Sequence, residues 1–545
     1  MMHARRSLAG RMVRISTVAG LALIASPVAR AAVTEVKPGD DVEAAWNALG
    51  PGDELVLHGG VYDITAAGRF SVKVAGTAAK PIIVRAASGE QPIIKRTDEA
   101  QNLIDFDGAT YLEIRGIELV GGSAGLRFSA GDHVTIRDCN IHDTGDVALR
   151  ANDGGVTYES FRILHNHIHH TSGTGEGMYL GCNSNGCRFQ NAVIEGNHVH
   201  HTNGASVSQG DGIEIKEGSS GNIVRDNVIH DTGYPCILTY STRGNGPANV
   251  IERNLLFRCG DHAIQSAADA TIRNNIILGA AGDGVAMQPH QAGVPQNLTV
   301  AHNTILKPAG DCVSVRGATG TVVVANNALY SKAGRAFYTN STPSLIAFSG
   351  NVGTGGVEGL AAKLGVGSLA SDFVLASFSG GVPNNVFPKP GAALVGTGAA
   401  AHVPADDFNG TPRNGAADVG AYAFAAAGNP GWALAEGFKA ATPAPPKADA
   451  SVTPSKDGAL PRVDARADAS GAADRAGADS DRRPEQAGGC GCRVSSPTRG
   501  VPWLLLGILL VRRRKGIHRA THRGSAGMAG LWRSRSDRRR RAAAR

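Results

Sequence analysis

A five-residue phrase recurs eight times between Cys139 and Asn327, and it constrains the fold more than any other feature of the chain. Its second residue is an asparagine in every copy except the first, and an aliphatic residue follows two positions later. The copies are spaced 21 to 31 residues apart, which is typical of a solenoid that climbs one coil per repeat. The second positions of the eight copies are Cys139, Asn166, Asn197, Asn227, Asn254, Asn275, Asn303 and Asn327.

The repeats favour short strands over helices. Apolar and polar residues alternate in segments such as 213–215 and 313–315, and they do not recur at helical spacing. Gly, Asn and Asp interrupt each repeat every few residues, and glycine accounts for 72 of the 545 residues. Three short strands and three turns per repeat predict an all-β fold, a right-handed parallel β-helix.

The repeated phrase also predicts what lies inside the coil. Stacked coils are ~4.8 Å apart, so an inward asparagine can hydrogen-bond to its counterpart on the next coil. Cys139 takes this position in the first copy and is expected to be a small buried residue. The aliphatic residues two positions later should form the core, and they are Ile141, Ile168, Val199, Ile229, Leu256, Ile277, Ile305 and Leu329.

Composition divides the chain into five parts. Residues 1–31 have the basic start, apolar run and Ala29-Arg30-Ala31 cleavage pattern of a signal peptide. The β-helix is expected over residues 32–424. Residues 425–489 are rich in Ala, Pro and Asp and almost free of large apolar side chains, which predicts a disordered linker. A short hydrophobic segment with flanking cysteines and basic residues occupies 490–515, and a basic tail occupies 516–545.

The segment 490–515 resembles a known targeting signal. It contains Cys490-Gly491-Cys492, an apolar run and then Arg512-Arg513-Arg514-Lys515. This order is similar to the myxobacterial-type C-terminal sorting tag. The resemblance implies that the protein is secreted and retained at the cell surface or outer membrane, with the cell envelope as a partner.

The net charge of +7 comes from the two ends of the chain. Residues 1–31 carry five arginines and no acid, and residues 512–545 carry thirteen Lys or Arg and one Asp, which leaves −10 for residues 32–511. An acidic mature protein excludes a nucleic-acid partner.

Eight cysteines agree with export. Cys182 and Cys187 flank a four-residue loop and could close a disulfide. The other cysteines between residues 32 and 424 could pair or remain buried thiols, and they are Cys139, Cys236, Cys259 and Cys312.

Outward side chains of stacked strands form columns, which the repeat allows us to predict. Aligned on residues 213–216, the column of Glu214 contains Arg127, Ala148, Tyr179, Leu238, Gln265, Ala286 and Ser314. The column of Lys216 contains Arg150, Gly181, Tyr240, Ala267, Gln288 and Arg316. Arginine and tyrosine suit the carboxylates and faces of sugars, so this face is predicted to be a platform for an acidic polysaccharide. The alternative is an ordinary solvated sheet face. The predicted substrate-binding residues are Arg127, Glu214, Gln265, Gln288 and Arg316.

One segment carries a resemblance to enzymes. Asp211-Gly212-Ile213-Glu214-Ile215-Lys216, followed by Gly221-Asn222, is similar to the segment that holds the catalytic lysine of family 9 pectate lyases. Glu214, Lys216 and Glu217 also resemble one element of chondroitinase-B-like lyases. The resemblance implies a β-helical polysaccharide lyase with Lys216 as its base and calcium as its cofactor. The coil that corresponds to the family's calcium-binding aspartates reads Gly175-Glu176-Gly177 here.

The chemistry of β-elimination assigns roles to nearby residues. A cation must neutralise the uronate carboxylate, a base removes the adjacent proton, and an acid protonates the leaving oxygen. We expect Lys216 to be the base, with its pKa lowered by neighbouring cations. Tyr179 or Tyr240 would be the acid, and Arg150 or Arg243 would neutralise the carboxylate. Alternatively, Lys216 only pairs with Glu214 or Glu217 on the surface.

Histidines also recur at coil spacing. The second residue of each phrase is called the ladder position, and three residues after it come His142, His169, His200 and His230. His167 lies two residues before His169, and His198 lies two residues before His200. Stacked imidazoles can bind a transition metal, and a site at His169, His200 and His230 is one prediction. The alternatives are acid–base chemistry and a stacked column with no chemical role.

Two functions follow from these observations. The first is an exported, monomeric enzyme that acts on an acidic polysaccharide by β-elimination. A C5-epimerase, which shares the proton abstraction, and a hydrolase are less favoured variants. The second is a non-catalytic cell-surface protein that binds carbohydrate or contributes to the envelope.

Overall fold

The computed structural model of the protein describes residues 31–440. This part of the chain is a right-handed parallel β-helix, as the repeat predicts, and each coil contributes strands to three faces. The predicted signal peptide through residue 30, most of the predicted linker, the sorting tag and the basic tail lie outside the described residues. Among residues 31–440, no helix reaches the length and apolarity that crossing a membrane requires.

Face 1 precedes the ladder position of each coil. Its strands pair in parallel from one coil to the next. They are Val33–Val36, Glu54–Leu57, Ile82–Ala86, Leu112–Arg115, Thr135–Arg137, Arg162–Leu164, Val193–Glu195, Ile223–Arg225, Asn249–Glu252, Ala270–Arg273, Leu298–Ala301, Val322–Ala325 and Ile346–Ser349.

Face 2 follows the ladder position. Its strands are Gly60–Asp63, Pro92–Arg96, Glu118–Gly121, Asn140–Thr144, His167–Thr171, His198–Thr202, Val228–Thr232, Leu255–Cys259, Ile276–Ile277, Thr304–Ala309, Ala328–Thr339, Val352–Glu358 and Gly365–Val366. The long strands Ala328–Thr339 and Val352–Glu358 continue around the corner into face 3.

Face 3 completes each coil. Its strands are Ser71–Ala75, Ile104–Thr110, Leu126–Phe128, Leu149–Ala151, Met178–Leu180, Ile213–Ile215, Ile237–Thr239, Ile264–Ser266, Val285–Met287 and Val313–Val315. Coils nearer the N-terminus are called lower coils. Three further strands extend the stack beside face 3 in the lower coils, and they are Gly131–Asp132, Thr157–Glu159 and Arg188–Gln190.

A continuous column of buried asparagines joins face 1 to face 2. The Nδ2 of Asn197 donates to Oδ1 of Asn227 at 2.9 Å, and the backbone N–H of Asn197 donates to the same oxygen at 2.9 Å. Asn227 repeats both bonds with Asn254. The column runs from Asn166 to Asn351, one coil beyond the last repeat seen in the sequence. From Asn197 onward, each side-chain oxygen of the column thus accepts from a backbone donor and a side-chain donor in a buried position.

The turn geometry explains the first residue of each phrase. The residue before the asparagine has a positive φ, for example 54° at His165, 58° at Asp226 and 68° at Gly196. Gly, Asn, Asp and His tolerate this left-handed conformation better than other residues. The phrase therefore encodes both a tight turn and the amide that stabilises it.

The interior beside the asparagine column is apolar. All eight aliphatic residues predicted for the core are fully buried, from Ile141 to Leu329. Each such side chain stabilises the fold by about 1.5–3 kcal/mol relative to an exposed one. Cys139 occupies the ladder position of its coil as a buried thiol, as predicted.

The two ends of the coil stack are covered differently. At the N-terminal end, the helix Val42–Asn47 buries Trp46 completely against Phe70 and Phe106. Towards the C-terminal end, the chain after Gly365–Val366 packs on the outward side of face 2 and shares an apolar cluster with Val228, Leu255 and Ile276. This segment includes the helix Leu369–Asp372 and the antiparallel pair Phe373–Leu375 and Asn385–Pro388. Two 3-10 turns, Asn183–Asn185 and Pro343–Leu345, lie in loops.

The packed segment extends beyond residue 424, where the sequence predicted the β-helix to end. Lys439 is 5% exposed, and its ammonium donates to the Asp226 carboxylate at 2.8 Å and to the Arg253 carbonyl at 3.0 Å. Phe438 lies over His165 with a ring-centroid distance of 4.1 Å. Residues 425–440 therefore form part of the folded body.

Two disulfides are present among the described residues. Cys182 pairs with Cys187 across the predicted short loop, and Cys236 pairs with Cys259 on the following coil. Cys139 and Cys312 are buried thiols. The first pairing confirms the expectation from sequence spacing.

Removing one amide from the column should weaken the fold measurably. Asn227→Ala leaves the backbone N–H of Asn197 and the carbonyl of Ile194 without their buried partner. We expect a loss of about 3 kcal/mol in the free energy of unfolding, measured by urea denaturation. The control Asn203→Ala changes an exposed asparagine and should leave the midpoint unchanged. Equal midpoints for the two variants would contradict a stabilising column.

Candidate active site on face 3

Lys216 lies at the centre of a buried group of polar side chains. It follows the strand Ile213–Ile215, and its ammonium contacts the Glu214 carboxylate and the Tyr240 hydroxyl, the latter at 3.3 Å. The Lys216 Nζ is 4.5 Å from the ring centroid of Tyr179 and 5.0 Å from that of Tyr240. The predicted base and both predicted acids are therefore brought together on three successive coils.

Three carboxyl groups, one of which contacts the lysine, form a buried cluster at this site. Glu176, Asp211 and Glu214 are at most 1% exposed, and their ligand atoms lie within 4.8 Å of one another. Among the described residues, Asp211 Oδ1 and Glu214 Oε2 have no hydrogen-bond partner. Buried oxygens of this kind require a proton or a cation. The set of oxygen donors fits calcium, which binds carboxylates in flexible geometry.

The positions of Glu176 and Asp211 follow from a turn that recurs at the entrance to face 3. Gly177 and Gly212 follow the two acids, and a Cβ at either glycine would lie 2.5–2.6 Å from a carbonyl oxygen of the next coil. The backbone N–H of Gly177 donates to the carbonyl of Asp211 at 2.9 Å, which places Glu176 and Asp211 on adjacent coils. Sequence reasoning missed Glu176 as a partner of Asp211, although the shared acid-glycine pair before each strand was a usable signal.

The protonation of Lys216 differs from the expectation. Burial lowers the pKa of the lysine, but the Glu214 carboxylate and then Tyr179 raise it, and the net shift of the pKa is upward. We predicted neighbouring cations, and the neighbours are carboxyl groups. Lys216 is therefore an ammonium ion in this structure, paired with Glu214.

The same buried environment raises the pKa values of two carboxyl groups and of one tyrosine. Burial, followed by the charges of Glu214 and Glu176, raises the pKa of Asp211 well above its usual value. Burial also raises the pKa of Glu176. Burial and the adjacent Glu214 carboxylate raise the pKa of Tyr240, so its hydroxyl keeps its proton.

A loop from a higher coil closes over the site. His290 Nε2 is 2.9 Å from the Tyr240 hydroxyl, and Glu217 accepts a hydrogen bond from the backbone of Ala292 at 3.0 Å. Gln291 holds the loop to the 183–185 turn, with its Nε2 2.7 Å from the Asn183 side-chain oxygen. His290 was not predicted, because it reaches Tyr240 from 50 residues away through a loop without a repeat. Lys216 is only 4% exposed beneath this loop.

The predicted platform is present as a column, with one correction. The register places Arg127, Arg150, Tyr179 and Glu214 on successive coils. Arg150, which we assigned to the Lys216 column, thus replaces Ala148 in the Glu214 column. A two-residue shift keeps every side chain on its face, so the alternating sequence around Arg150 did not reveal the error.

The arginines of this face are already paired within the protein. Arg127 binds Asp105 and Asp153, and Arg150 binds Asp146 at 3.2 Å, while their side chains remain 25% and 34% exposed. Arg243 is exposed and interacts with the Ser241 hydroxyl through its backbone. Among the described residues, no hydrogen bond or ion pair joins Lys216 to an arginine. The predicted neutralisers Arg150 and Arg243 are therefore not in contact with the lysine.

The upper part of the Glu214 column is covered, whereas the side chain of Arg316 in the Lys216 column remains 31% exposed. Gln265 is 6% exposed and Ser314 is fully buried, and Gln288 donates to Gln265 at 3.2 Å. Arg316 binds Asp283 at 3.0 Å. Only the coils at and below Tyr179 therefore offer an open surface in the Glu214 column, and the buried part begins at Glu214.

The histidines lie on face 2, away from this site. His142, His169, His200 and His230 form the predicted column, with ring centroids 4.7–5.1 Å apart and nearly parallel planes, and Phe257 continues the stack. Parallel stacked rings direct their nitrogens sideways, and among the described residues the imidazole ligand atoms that lie within 4.8 Å of one another belong to His167, His198 and His200, so the predicted trio shares only His200 with this group. Burial, followed by neighbouring imidazoles, lowers the pKa of His198 to about 3 and that of His200 to about 2.

Comparison with known proteins agrees with this architecture. Residues 26–270 match a family model described as a Pel9A-like, right-handed β-helix region, which is less than half of the chain. Comparison with curated protein sequences gave no match.

Several solved structures are similar to this chain at low identity. An alginate lyase from Paenibacillus sp. str. FPU-7 is 22% identical, over 61% of this chain and 99% of that chain, with a TM-score of 0.39. Pectate lyase Pel9A is 15% identical, over 72% of this chain and 96% of that chain, with a TM-score of 0.42. A mannuronic acid specific family 6 lyase from human gut microbiota is 16% identical, over 60% and 87%, with a TM-score of 0.39.

Asp211→Asn should stabilise the cation-free protein at neutral pH. The raised pKa means that the folded state binds this proton more tightly than the unfolded state, whose pKa is near 3.8. That contribution is fully present below pH 3.8 and is lost as the pH rises through the raised pKa. In urea unfolding with a calcium chelator, the advantage of the variant should therefore grow as the pH rises from 4 to 7.

The exposed carboxyl group of Glu99 provides the control. Glu99→Gln should show no such growth with pH. If Asp211→Asn were equally or less stable than the parent protein at pH 7, the buried carboxyl cluster would not have the described electrostatics.

Proposed function

We propose that the protein is a polysaccharide lyase that cleaves a uronate-containing polymer by β-elimination on face 3. The observation that carries this proposal is the buried contact of Lys216 with Tyr179, Tyr240 and Glu214. In the reaction, a base removes the proton next to the uronate carboxyl, the bond to the glycosidic oxygen breaks, and a carbon–carbon double bond forms. The leaving oxygen takes a proton from an acid.

Tyr240 fits the role of the acid. Its hydroxyl donates to Glu214 at 3.0 Å and lies 2.9 Å from His290 Nε2, so its orientation is fixed from two sides. The raised pKa keeps the phenol protonated and able to donate. His290, whose pKa is lowered by burial and by Lys216, is neutral, and its Nε2 holds the Tyr240 hydroxyl in place by a hydrogen bond.

Lys216 fits the role of the base once the negative charge of the neighbouring carboxylates is neutralised. In the structure its ammonium is stabilised by Glu214. We propose that Glu176, Asp211 and Glu214 hold a calcium ion. A bound divalent cation would neutralise these carboxylates, lower the pKa of Lys216 by charge repulsion, and offset the charge of a uronate. Tyr179 confines the lysine from the coil below through its ring face.

Substrate would approach along the open lower coils. Arg127 and Arg150 are part-exposed there and present guanidinium groups that match carboxylates. Since Lys216 is buried beneath the loop of His290 and Gln291, the loop must move to admit a sugar ring. Together these features favour an acidic polysaccharide as the substrate class.

The location of the protein is part of the same proposal. We infer export from the predicted signal peptide at residues 1–31 and retention at the cell surface from the tag-like segment 490–515. A polymer that cannot enter a cell is met outside it, which agrees with this location.

A second candidate function is carbohydrate binding without catalysis. The observation that favours it is the buried pair of Lys216 and Glu214, which could serve structure alone. The two candidates differ in whether Lys216 is required for bond cleavage.

Lys216→Ala should abolish the release of unsaturated uronates. Pectate, alginate and chondroitin are incubated with the full chain, with and without calcium, and ultraviolet absorbance reports the new double bonds. We expect calcium-dependent signal on one polymer with the parent protein, and a loss of at least a thousandfold in the variant. The exposed Lys332→Ala is the matched control and should retain activity.

Absence of signal on every uronate polymer, together with retained polymer binding, would favour the non-catalytic function. Activity that survives Lys216→Ala would show that the site described here does not perform the reaction.

Tyr240→Phe should separate proton donation from packing. The variant keeps the ring and removes the hydroxyl that contacts Glu214, Lys216 and His290. We expect kcat to fall about 10²–10⁴-fold with little change in KM, since general acid catalysis contributes a factor of this size. Tyr234→Phe, at a tyrosine that is 45% exposed, serves as the control. An unchanged kcat for Tyr240→Phe would remove this residue from the mechanism.

A further inference from the structure

Imidazole nitrogens converge between two columns on face 2. His167 and His198 stack with each other at 5.0 Å, beside the column that contains His200 and His230. The Nε2 atoms of His167 and His200 are 2.7 Å apart, and those of His198 and His230 are 2.9 Å apart. Ligand atoms of His167, His198 and His200 all lie within 4.8 Å of one another.

This arrangement has the right donors for a metal ion of intermediate softness. Two ring nitrogens in contact can share only one proton, so lone pairs must face the space between the columns. Four nitrogens around a tetrahedral zinc ion, each ~2.0–2.1 Å from the metal, would be separated by about 3.3 Å. Small rotations of the rings would therefore convert nitrogen–nitrogen contacts into metal ligation.

The neighbours of His230 orient it as a ligand. Its Nδ1 lies 2.6 Å from the Asp231 carboxylate and 3.3 Å from the Arg258 guanidinium. A proton on Nδ1 donates to the closer carboxylate and leaves the Nε2 lone pair directed at His198. Metal-binding histidines commonly make this second contact to a carboxylate. Arg258 in turn binds Asp231 at 2.7 Å and holds the carboxylate in place.

We propose that His167, His198, His200 and His230 form a binding site for a divalent transition-metal ion of the zinc class. Imidazole nitrogen suits zinc, copper and nickel, whereas calcium prefers oxygen ligands. The site is distinct from the carboxylate cluster on face 3 and does not depend on the proposed lyase activity.

The C-terminal segment closes this site. The Phe438 ring lies 6.1 Å from His167 and 5.9 Å from His198, edge against face. Glu436 binds Arg258 at 2.9 Å and Lys439 binds Asp226 at 2.8 Å, so both sides of Phe438 are anchored to the coil stack. A site covered in this way resembles a structural metal site more than a catalytic one, which keeps an open position. A bound ion would join three coils beneath the segment that carries Phe438.

Zinc titration of the full chain tests the site. After removal of metals with a chelator, calorimetry should show one zinc ion per chain, and zinc should raise the melting temperature. His198→Gln and His200→Gln should each weaken zinc binding at least tenfold and abolish the rise. His142→Gln is the matched control, because His142 belongs to the stacked column but its nitrogens contact Asp143 and Glu118.

Cobalt provides a readout that does not depend on how the variants fold. The parent protein with one equivalent of Co²⁺ should show the strong visible absorption of a four-coordinate site. A weak six-coordinate spectrum would overturn the proposal. Zinc binding that persists in His198→Gln and is lost instead in His170→Gln would also overturn it, because the ion would then occupy the exposed histidines. Circular dichroism of each metal-free variant checks that it is folded.

Discussion

The buried asparagine column is the interaction on which the rest of the structure depends. Each amide from Asn197 to Asn327 accepts two hydrogen bonds from the coil before it and donates to the coil after it, in an interior where water cannot substitute. A shift of one residue would turn the amide outward and leave a backbone N–H unpaired. Register is therefore fixed from Asn166 to Asn351. Residues about one repeat apart in sequence become neighbours on the next coil.

Because the register is fixed, side chains of the same chemical type collect on each face. On face 3, an acid before a glycine on two successive coils produces the pair Glu176 and Asp211, and Glu214 and Lys216 extend from the strand that follows. Three carboxyl groups and one ammonium ion in a buried site carry an excess of negative charge, which proton uptake or a cation must relieve. On face 2, the same stacking gathers imidazoles, and desolvation keeps them neutral. Under the two proposals, the face 3 site would bind a hard cation and the face 2 site a softer one.

The sequence was sufficient to predict the fold and the centre of the candidate site. The period placed Tyr179, Lys216 and Tyr240 on adjacent coils, because their strands have similar lengths and unambiguous alternation. Arg150 was assigned to the wrong column because a shift of two residues preserves the face. Asn351 was missed because the phrase after it, Val352-Gly353, lacks the usual aliphatic residue.

Other features of the site depend on tertiary contacts that no local pattern contains. His290 reaches Tyr240 through a loop that crosses several coils. The raised pKa of Lys216 is set by which groups surround it, and the sequence suggested cations where the structure has carboxyl groups. The packing of residues 425–440 rests on a few contacts such as Lys439 with Asp226, in a stretch whose composition indicated disorder. Columns and core follow from periodicity, whereas loops and protonation states do not.

Stacked coils bring Glu176, Asp211 and Glu214 together next to Lys216, and we propose that this cluster receives a cation. A crystal structure of the full chain grown with calcium, with anomalous diffraction to identify the ion, tests it most directly. We predict one calcium ion about 2.3–2.6 Å from oxygens of all three carboxylates, with the Lys216 ammonium displaced from Glu214. The account would be contradicted if the three side chains faced different directions, or if saturating calcium left the site without an ion.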